Sequence, residues 1–527
     1  MHAYRSRQAT SWASRRCGTD VTRDRLLPWI AALLVAFAAF ASGYLTTGAI
    51  ENDHFVMLAR AFQVLYGDWP VRDFVDPGQP LAYLVSTAAA ALFGETLLVN
   101  VVLSLFFFAA TVAVVYLLAR RTTGSAIAAL VAAALVVVFY PRLYNTTKIV
   151  VPVVAIALAW QYGDRPGPWR LVALAAWTAV AFLMRHDYAL YVGVANVALL
   201  TVTHAASPPM AARRLVSYAA LSLLFVSPWL AYVEWQQGVG EYFASALRFA
   251  AAEQRRTAAG WPRSPAFYLC IAVPMAGVAL SLRRGPRLST AQLLSASLLV
   301  LLLDVAFLRD VLIARVADVV APMVVLASAL AGHVWSPRAV GRAAAAALVV
   351  AVPAAAIPAA ARVRSMPTPA AIIRHAADVT RRLEQASPDI QPDPSLAPLI
   401  DYLSRCTPPG DRVLVSGFGP EIPVLAHRPF ASGLASWIPG YYEDPRDVAR
   451  GRAQLDRERV SVVVMLDGSR VFFSSWPGLG EWLLKNGMKE YPLTAVNARI
   501  RIWLPTPASP ASVDGRTGLP CGVRAIP

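Results

Sequence analysis

The chain has 527 residues, of which 57% are hydrophobic and only 15% are charged, and its mean hydropathy is +0.49. A composition this apolar excludes an ordinary soluble protein and predicts a polytopic membrane protein. The net charge of +16 does not indicate a nucleic-acid partner, because the arginines stand in short clusters between apolar runs and form no basic stripe with interleaved aromatic residues.

Apolar runs of membrane length recur from residue 26 to residue 361. The basic residues 1–25 are expected to stay in the cytoplasm, with no cleaved signal peptide. Leu81–Phe93 is short and rich in alanine, so we interpret it as an interfacial helix. About eleven spans are predicted: Leu26–Gly48, Thr96–Ala119, Ala126–Tyr140, Ile149–Trp160, Leu171–Met184, Leu190–His204, Leu215–Trp235, Ala266–Leu282, Ala291–Phe307, Val311–Gly332 and Ala343–Ala361.

The distribution of arginine pairs supports this layout. Pairs such as Arg120/Arg121 and Arg213/Arg214 fall on the cytoplasmic side, as the positive-inside rule requires. Counting Leu81–Phe93 as a span would move the later pairs outside. An odd number of spans places the C-terminus outside, whereas a tail in the cytoplasm follows if the proline-interrupted run Ala343–Ala361 does not span.

The composition of the last part of the chain is that of a small globular α/β domain. Its predicted strands are Arg412–Ser416, Val460–Met465 and Ala498–Trp503, and its predicted helices are Leu396–Arg405 and Glu481–Lys485. The predicted organisation is therefore a cytoplasmic N-terminus (1–25), a transmembrane domain (26–361) with a first outer loop (49–95), a linker (362–395), an outer-face α/β domain (396–505) and a flexible tail (506–527).

The four cysteines, Cys17, Cys270, Cys406 and Cys521, include no pair with metal-ligand spacing. A divalent cation is left open, although no ligand set for it is recognisable, and the cofactor stays unassigned. Cys406 and Cys521 both belong to the predicted outer domain, where a disulfide is permitted. Two free thiols are the favoured interpretation.

Two acids follow the first predicted span. Glu51 and Asp53 flank Asn52, His54 comes next, and the following residues have the periodicity of a helix on the membrane surface that ends at Gly67. Asp53 alone would suit a helix N-cap. So many polar residues at a membrane surface favour a functional site, and the two roles are compatible.

The next loop contains Arg72, Asp73 and Asp76 before Pro77-Gly78. One interpretation is a solvated turn built on the proline and glycine. The other is a second acid facing the first, or a metal ligand. We keep Asp76 as a candidate substrate-binding residue.

Several charged residues fall on the same predicted outer face. Arginine and lysine there could clamp a phosphate, and ionisable residues inside a span are costly and usually pair or bind something polar. Arg315 and Asp318 are three residues apart and so share a helix face, which leaves an internal ion pair as the alternative. The candidates for substrate binding are Lys148, Arg185, Asp187, Arg309, Asp310, Arg315 and Asp318.

Short motifs along nearly the whole chain resemble the GT-C superfamily of glycosyltransferases. The resemblance is to the bacterial branch near protein mannosyltransferases, lipid A aminoarabinose transferases and rhizobial lipopolysaccharide core glycosyltransferases. The motifs are the acids 51–53, Gly67-Asp68-Trp69-Pro70, Asp76-Pro77-Gly78-Gln79-Pro80-Leu81, Phe182–Tyr188, Pro409–Val413, Gly419–Ile422 and His427-Arg428-Pro429.

The resemblance implies a polytopic helical fold, a polyprenyl-phosphate sugar donor and an acid of the first loop as general base. Carried over, that base is Asp53, with Glu51 as the alternative because the usual acid pair is spread as Glu-Asn-Asp. Gln79 stands where related chains often have His or Lys beside the proline, so it becomes a candidate for the donor phosphate.

We therefore expect a multi-pass glycosyltransferase of the bacterial inner membrane. It would transfer a sugar from a polyprenyl-phosphate donor to a glycan, glycolipid or protein acceptor at the outer face, in a single displacement. The rival functions are a transporter or lipid flippase, with Arg315 and Asp318 lining the path, a polysaccharide polymerase or ligase, and a non-catalytic assembly scaffold.

Overall fold

The computed structural model describes residues 19–257, 265–282, 288–306, 316–344, 368–493, 499–506 and 512–522. Its N-terminal part is helical. The helices are α1 (Thr19–Leu45), α2 (Asn52–Leu65), α3 (Pro80–Phe93), α4 (Leu97–Thr123), α5 (Ala126–Val138), α6 (Thr146–Asp164), α7 (Pro168–Met184), α8 (His186–Thr203), α9 (Pro208–Gln236), α10 (Val239–Thr257), α11 (Pro265–Ser281), α12 (Thr290–Ala306) and α13 (Val316–Val334).

Within the described ranges, five stretches of helix are long and apolar enough to cross a membrane by length and composition: Leu26–Leu45, Leu97–Thr123, Leu143–Asp164, Pro208–Gln236 and Val316–Val334. Helix α4 shows how the sequence sets its ends. The Thr96 hydroxyl accepts a hydrogen bond from the Val99 N–H, and Gly124 ends the helix in the left-handed conformation. Arg120 and Arg121 occupy the last turn, where the helix dipole favours cations. The chain is a multi-pass membrane protein.

The predicted fold class, a polytopic helical domain with a small C-terminal α/β domain, is confirmed. Ten of the eleven predicted spans overlap α1, α4 to α9 and α11 to α13. The eleventh, Ala343–Ala361, lies outside the described residues apart from residues 343 and 344. Leu81–Phe93 corresponds to α3, and its position in the membrane interface stays a prediction.

Outside the C-terminal domain, two of the described helices occur where no helix was predicted. Helix α10 occupies the loop after α9, and α14 (Pro369–Glu384) occupies part of the expected linker. Val379 and Leu383 of α14 are buried, the Tyr44 and Thr380 hydroxyls are hydrogen-bonded at 2.6 Å, and His375 bonds to the Leu45 carbonyl. Helix α14 therefore packs against the C-terminal end of α1.

The C-terminal domain contains the helices α15 (Ala397–Cys406), α16 (Glu421–Leu425), α17 (Pro445–Leu455), α18 (Ser469–Ser475) and α19 (Pro477–Lys485). They surround a sheet of β1 (Arg412–Ser416), β2 (Val460–Met465), β3 (Met488–Pro492) and β4 (Arg501–Pro505) in the order β1-β2-β4-β3. Only the β1–β2 pair is parallel. Every residue of β2 is buried, as expected for a central strand covered on both faces.

The predicted strands Arg412–Ser416 and Val460–Met465 are confirmed as β1 and β2. The third predicted strand, Ala498–Trp503, is displaced toward the C-terminus, because β4 begins at Arg501. Strand β3 was missed. Its Lys489, Glu490 and Pro492 are exposed, so it lacks the apolar pattern by which a strand is recognised.

The interpretation of Cys406 and Cys521 as free thiols was wrong. The two residues form a disulfide across 115 positions of sequence. Cys406 ends α15, and the returning C-terminal segment hydrogen-bonds beside it, with the Gly522 N–H donating to the Cys406 carbonyl. A bond between such distant residues depends on tertiary packing, which the sequence spacing does not show.

The C-terminal domain rests on the first outer loop and on α2. Gln63 of α2 exchanges two hydrogen bonds with the backbone of Phe430, at 3.0 and 3.1 Å. The Val75 N–H donates to the Gly433 carbonyl at 3.0 Å. Gly433 has φ +72°, and a Cβ at this position would lie 3.1 Å from the Asp73 carbonyl oxygen, so glycine permits the close approach.

Candidate functional site

The acids of the first outer loop are joined by an arginine from a different loop. The Arg142 Nε lies 3.5 Å from Glu51 Oε1, and its Nη1 lies 3.7 Å from Asp53 Oδ2. Arg142 also donates a hydrogen bond to the Tyr144 hydroxyl at 3.3 Å. We call Glu51, Asp53 and Arg142 the acid–arginine cluster. Both carboxylates are 40–50% exposed, so a substrate hydroxyl has access to them.

Asp53 does not cap its helix. The N-cap residue of α2 is Glu51, which makes no side-chain capping bond, and Asp53 lies inside the first helical turn. A carboxylate there interacts favourably with the helix dipole. The N-cap explanation for Asp53 is therefore wrong, and the carboxylate is turned toward Arg142 instead.

A second group of polar residues lies at the start of α6. The Asn145 side chain donates from Nδ2 to Asp318 Oδ2 at 2.8 Å and accepts at Oδ1 from Lys148 Nζ at 3.0 Å. The ammonium group also lies 5.1 Å from the centre of the Tyr144 ring. Asn145 and Lys148 are buried. The structure thus holds a buried cation by an amide and an aromatic face, with Asp318 beyond the amide.

The third group lies at the junction of α7 and α8. Arg185 forms an ion pair with Asp187 at 2.7 Å, and its guanidinium lies 5.2 Å from the centre of the Tyr188 ring. The two predicted candidates Arg185 and Asp187 therefore contact each other, and their ion pair lies where α7 ends and α8 begins. Asp318 interacts electrostatically with the Tyr188 hydroxyl, which places this group beside the second.

Asp318 links the three groups through its charge, which acts on Glu51 of the first group and on Tyr188 of the third. Burial raises the pKa of Glu51 above its usual value, Arg142 opposes this, and the charges of Asp53 and Asp318 raise the pKa further. Asp318 is thus close enough to act on the acid–arginine cluster. Carboxylates at the surface and cations beneath them are the arrangement needed to remove a proton from one group and to stabilise negative charge on another.

Asp76 is held within a buried turn. Its Oδ1 accepts from the Gly78 and Gln79 N–H groups, both at 3.0 Å, and its Oδ2 accepts from the Tyr242 hydroxyl at 2.5 Å. Tyr242 also bonds to His186 Nε2 at 3.0 Å, and the His186 N–H donates to the Gly78 carbonyl. These bonds fix the turn on α8 and α10, so Asp76 is not in a solvated turn, and its contact with substrate stays a prediction.

His54 is buried and Gln79 is half-buried. Among the described residues, no hydrogen-bond partner reaches the buried Gln79 Oε1 or either ring nitrogen of His54. Burial lowers the pKa of His54 to about 4, so this side chain is neutral at physiological pH and adds no charge beside Asp53. Gln79 stays a candidate for a substrate contact because its oxygen is available at the start of α3.

Three candidate residues, Arg309, Asp310 and Arg315, lie outside the described residues. The alternative of an ion pair between Arg315 and Asp318 therefore stays a prediction. In the described ranges, no group of three or more His, Cys, Asp or Glu side chains is placed to hold a metal ion.

Sequence reasoning missed three residues of the site: Arg142, Asn145 and Tyr242. Arg142 lies between the predicted spans Ala126–Tyr140 and Ile149–Trp160, as Lys148 does, and its charge was a signal that could have included it. Asn145 and Tyr242 had no such signal. Tyr242 meets Asp76 across 166 positions of sequence, in a helix that was not predicted.

Comparison with known proteins finds similarity only in three dimensions. No protein-family model and no curated protein matches the sequence. The chain is similar to the crystal structure of ArnT from Cupriavidus metallidurans bound to undecaprenyl phosphate, with 15% identity and a TM-score of 0.52, and to the apo state of the same protein, with 16% identity and a TM-score of 0.51. Each alignment covers 92% of this chain and 98% of the other. The chain therefore shares the fold of ArnT.

Proposed function

We propose that the protein is a membrane glycosyltransferase that moves a sugar from a polyprenyl-phosphate donor to a hydroxyl of a cell-envelope acceptor. The observation that carries the proposal is the acid–arginine cluster above the buried Lys148. The acids supply a base for the acceptor, and the cation supplies a partner for a phosphate. The fold supports the donor class, since the ArnT structure of the same fold is bound to undecaprenyl phosphate.

The reaction is a single displacement in which Asp53 is the general base. Asp53 accepts the proton of the acceptor hydroxyl, and the hydroxyl oxygen attacks the anomeric carbon of the sugar. The bond between that carbon and the phosphate oxygen breaks, and the phosphate leaves with the bonding electrons. A positioned base contributes roughly a hundred- to ten-thousandfold in rate. Arg142 holds the Asp53 carboxylate in place at the start of α2.

The leaving phosphate is stabilised by cations on the far side of the sugar. Lys148 and Arg185 fill this role among the described residues, and Arg309 and Arg315 are further candidates. Arginine and lysine both bind phosphate by charge-assisted hydrogen bonds. Asn145 positions the Lys148 ammonium group, and Asp187 orients Arg185.

The reaction takes place at the outer face of the inner membrane, with the N-terminus in the cytoplasm and the C-terminal domain outside. The disulfide between Cys406 and Cys521 supports this orientation, because disulfides persist in oxidising compartments and are rare in the cytosol. The C-terminal domain rests on the first outer loop, so the loop and its acids belong to the same side.

The proposal is tested in a strain that lacks the protein. Lipid extracts of that strain, analysed by mass spectrometry, should contain an accumulated polyprenyl-phosphate sugar. Wild-type protein should clear it, whereas Asp53→Asn should not, since asparagine keeps the shape but does not accept a proton. Asp164→Asn is the matched control, because Asp164 is also paired with an arginine and its side chain is 44% exposed, against 41% for Asp53.

Glu51→Gln separates the two acids. We expect this variant to clear the lipid-linked sugar more slowly than wild type and faster than Asp53→Asn. The reverse order would assign the base to Glu51. Full clearance by both variants, each inserted at the wild-type level, would rule out the general-base mechanism and favour a transporter or flippase.

A further inference from the structure

We infer that a cleft between the first outer loop, the end of α9 and the C-terminal domain binds an anionic saccharide portion of the acceptor. We call this feature the outer cleft. It joins a cavity of about 240 Å³ to a more open depression of about 500 Å³, and the two share Arg72 and Gln236. The inference rests on the proposed function, because it assigns the acceptor class.

The open part of the outer cleft is an aromatic platform. It is lined by Trp69, Tyr232 and Trp235 together with Arg72 and Gln236. Trp69 is 48% exposed and Trp235 is 82% exposed. Flat aromatic faces with polar groups at their edges suit the C–H faces of sugar rings, which are apolar in the middle and ringed by hydroxyls.

The deeper part of the outer cleft is polar and basic. Three arginines line the connected cleft, Arg72, Arg450 and Arg457, against the single acid Asp73. Asp73 is already paired with Arg72 at 2.6 Å. Arg450 and Arg457 make no ion pair within the described part of the chain, although the charge of Arg450 acts on Asp447 and Glu241, which do not line the cleft. Guanidinium groups match carboxylate and phosphate oxygens in geometry and charge.

Side-chain amides and a hydroxyl complete the lining: Gln236, Gln237, Gln454 and Ser432. Amides donate and accept hydrogen bonds, as recognition of sugar hydroxyls requires. A ligand with only anionic groups would not need hydrogen-bond acceptors in its binding site. A lipid acyl chain would need neither donors nor acceptors. The combination of aromatic faces, amides and arginines therefore favours an anionic saccharide.

The walls of the outer cleft are fixed in place by hydrogen bonds. The Tyr232 hydroxyl donates to the Pro70 carbonyl at 2.7 Å, which holds α9 to the loop. Gln454 Nε2 donates to the Asp73 carbonyl at 2.9 Å, which holds the C-terminal domain to the loop. A preformed site binds without the cost of ordering its walls.

The loop that forms the floor is strained. Val71 has φ +72°, a backbone conformation that a β-branched residue rarely adopts. The surrounding contacts impose it, since Val71 packs against Val233 and Tyr242 and its N–H donates to the Phe74 carbonyl. Strain of this kind persists where the surroundings over-determine the backbone, commonly at ligand sites.

The turn that contains Asp76 lies between the outer cleft and the candidate active site. Val75 lines the cleft, and the next residue, Asp76, accepts the hydrogen bond of Tyr242. Tyr242 bonds to His186, which directly follows Arg185. A saccharide in the cleft would therefore lie on one side of the turn that carries Gln79, with the candidate phosphate ligand Arg185 on the other.

The inference is tested by titrating the full-length protein in phosphatidylcholine nanodiscs with tetragalacturonate, an anionic tetrasaccharide, and with maltotetraose, a neutral one. Trp235→Ala should weaken binding of both probes roughly tenfold, as for other aromatic anchors. Trp235→Phe should keep most of the affinity. The double variant Arg450→Gln/Arg457→Gln should weaken only the anionic probe, by about three- to tenfold.

Two matched controls should leave both affinities unchanged. Trp169→Ala removes a tryptophan that is 83% exposed, against 82% for Trp235, and that lies at the start of α7 and does not line the cleft. Arg470→Gln removes an exposed arginine of the C-terminal domain outside the cleft. Absence of saturable binding by either probe, or equal affinities for Trp235→Ala and Trp169→Ala, would overturn the inference.

Membrane lipid is the other occupant of an exposed aromatic platform, since tryptophans are enriched at membrane interfaces. Nanodiscs of brominated phosphatidylglycerol distinguish the two, because bromine quenches tryptophans that contact acyl chains. Fluorescence assigned to Trp235, by difference from Trp235→Ala, should be little quenched if the cleft holds saccharide. Strong quenching would assign the platform to lipid and overturn the inference.

The two proposals fail separately. Asp53→Asn protein should bind both probes as wild type does, since the base is not part of the cleft. If the deletion strain accumulates no lipid-linked sugar but the probes bind as described, the transferase proposal fails and the cleft still binds saccharide. If Trp235→Ala clears the lipid-linked sugar as fast as wild type, the acceptor assignment fails and the transferase proposal stands.

Discussion

Arg412 of the C-terminal domain and Asp68 of the first outer loop form a two-pronged ion pair across 344 positions of sequence, with Nη1–Oδ2 at 2.6 Å and Nη2–Oδ1 at 2.9 Å. Both side chains are largely buried. Arg412 also donates to the Phe430 carbonyl at 3.1 Å and lies 3.6 Å from Glu458. Because the guanidinium fork fixes both distance and angle, this pair sets how the domain sits on the loop that forms the floor of the outer cleft.

Replacing Arg412 should loosen this junction. Arg412→Gln leaves the partly buried Asp68 carboxylate unpaired, and we expect a loss of about 1–3 kcal/mol in stability. Arg412→Lys should recover part of it, since lysine keeps the charge and loses the two-pronged geometry. Hydrogen–deuterium exchange should show faster exchange in residues 67–79.

The matched control for this prediction is Arg516→Gln. Arg516 pairs with Asp401 in the same domain, but both side chains are more than half exposed, and such pairs contribute about 0–1 kcal/mol. Equal exchange rates in residues 67–79 for Arg412→Gln and Arg516→Gln would show that the Arg412–Asp68 pair does not hold the loop.

The buried Glu458 beside this pair should make the domain less stable as pH rises. Burial raises the pKa of Glu458 from 4.5 to about 7, although Arg412 and the Ser432 N–H act in the opposite direction. The folded state then binds more protons than the unfolded state between pH 4.5 and 7. The contribution of Glu458 to the free energy of unfolding is therefore fully present below pH 4.5. It falls between pH 4.5 and 7 by an amount on the order of 1–3 kcal/mol.

Thermal unfolding of the wild-type protein and of Glu458→Gln at pH 5 and pH 7.5 measures this effect. The Tm of the wild type should be lower at pH 7.5 than at pH 5. The Tm of Glu458→Gln should fall less over the same range, because glutamine does not ionise. Glu421, whose pKa burial also raises to about 7, should behave similarly, so Glu421→Gln is a second, independent variant. Equal losses in all three proteins would exclude the two glutamates as the cause.

The sequence indicates the parts of this protein that depend on local pattern. Val460–Met465 is an apolar, largely β-branched run interrupted only by Ser461, and the enrichment in β-branched residues favours a strand that is buried on both faces. Glu51 and Asp53 were recognised because two acids at a membrane interface are unusual. Helix α10 was missed because its residues are too polar for a span, and its apolar face, with Tyr242, is defined only by what it packs against.

The relations between distant residues could not be predicted. Arg142 meets Glu51 and Asp53 because the short helical turn Leu143–Asn145, which follows it, packs against α2. The residues of that turn give no sign of this packing. The bond between Cys406 and Cys521 depends on where the C-terminal segment returns to α15. In each case one partner had a signal in the sequence, and the contact itself came from the tertiary fold.

The last prediction concerns Lys148, which we place at the donor phosphate. Lys148→Gln keeps a hydrogen-bonding group near Asn145 and removes the positive charge. A hydrogen bond to a charged group contributes about 1.5–3 kcal/mol, so the KM for the lipid-linked sugar should rise about tenfold or more, with a smaller effect on kcat. Asp53→Asn should show the opposite division, with kcat lost and KM little changed. Lys148→Arg separates charge from packing, because it restores the cation in a different shape. If Lys148 binds the phosphate, this variant should recover much of the affinity, whereas equal KM values for Lys148→Gln and Lys148→Arg, together with a lower Tm in both, would show that the residue only holds Asn145 and the start of α6 in place.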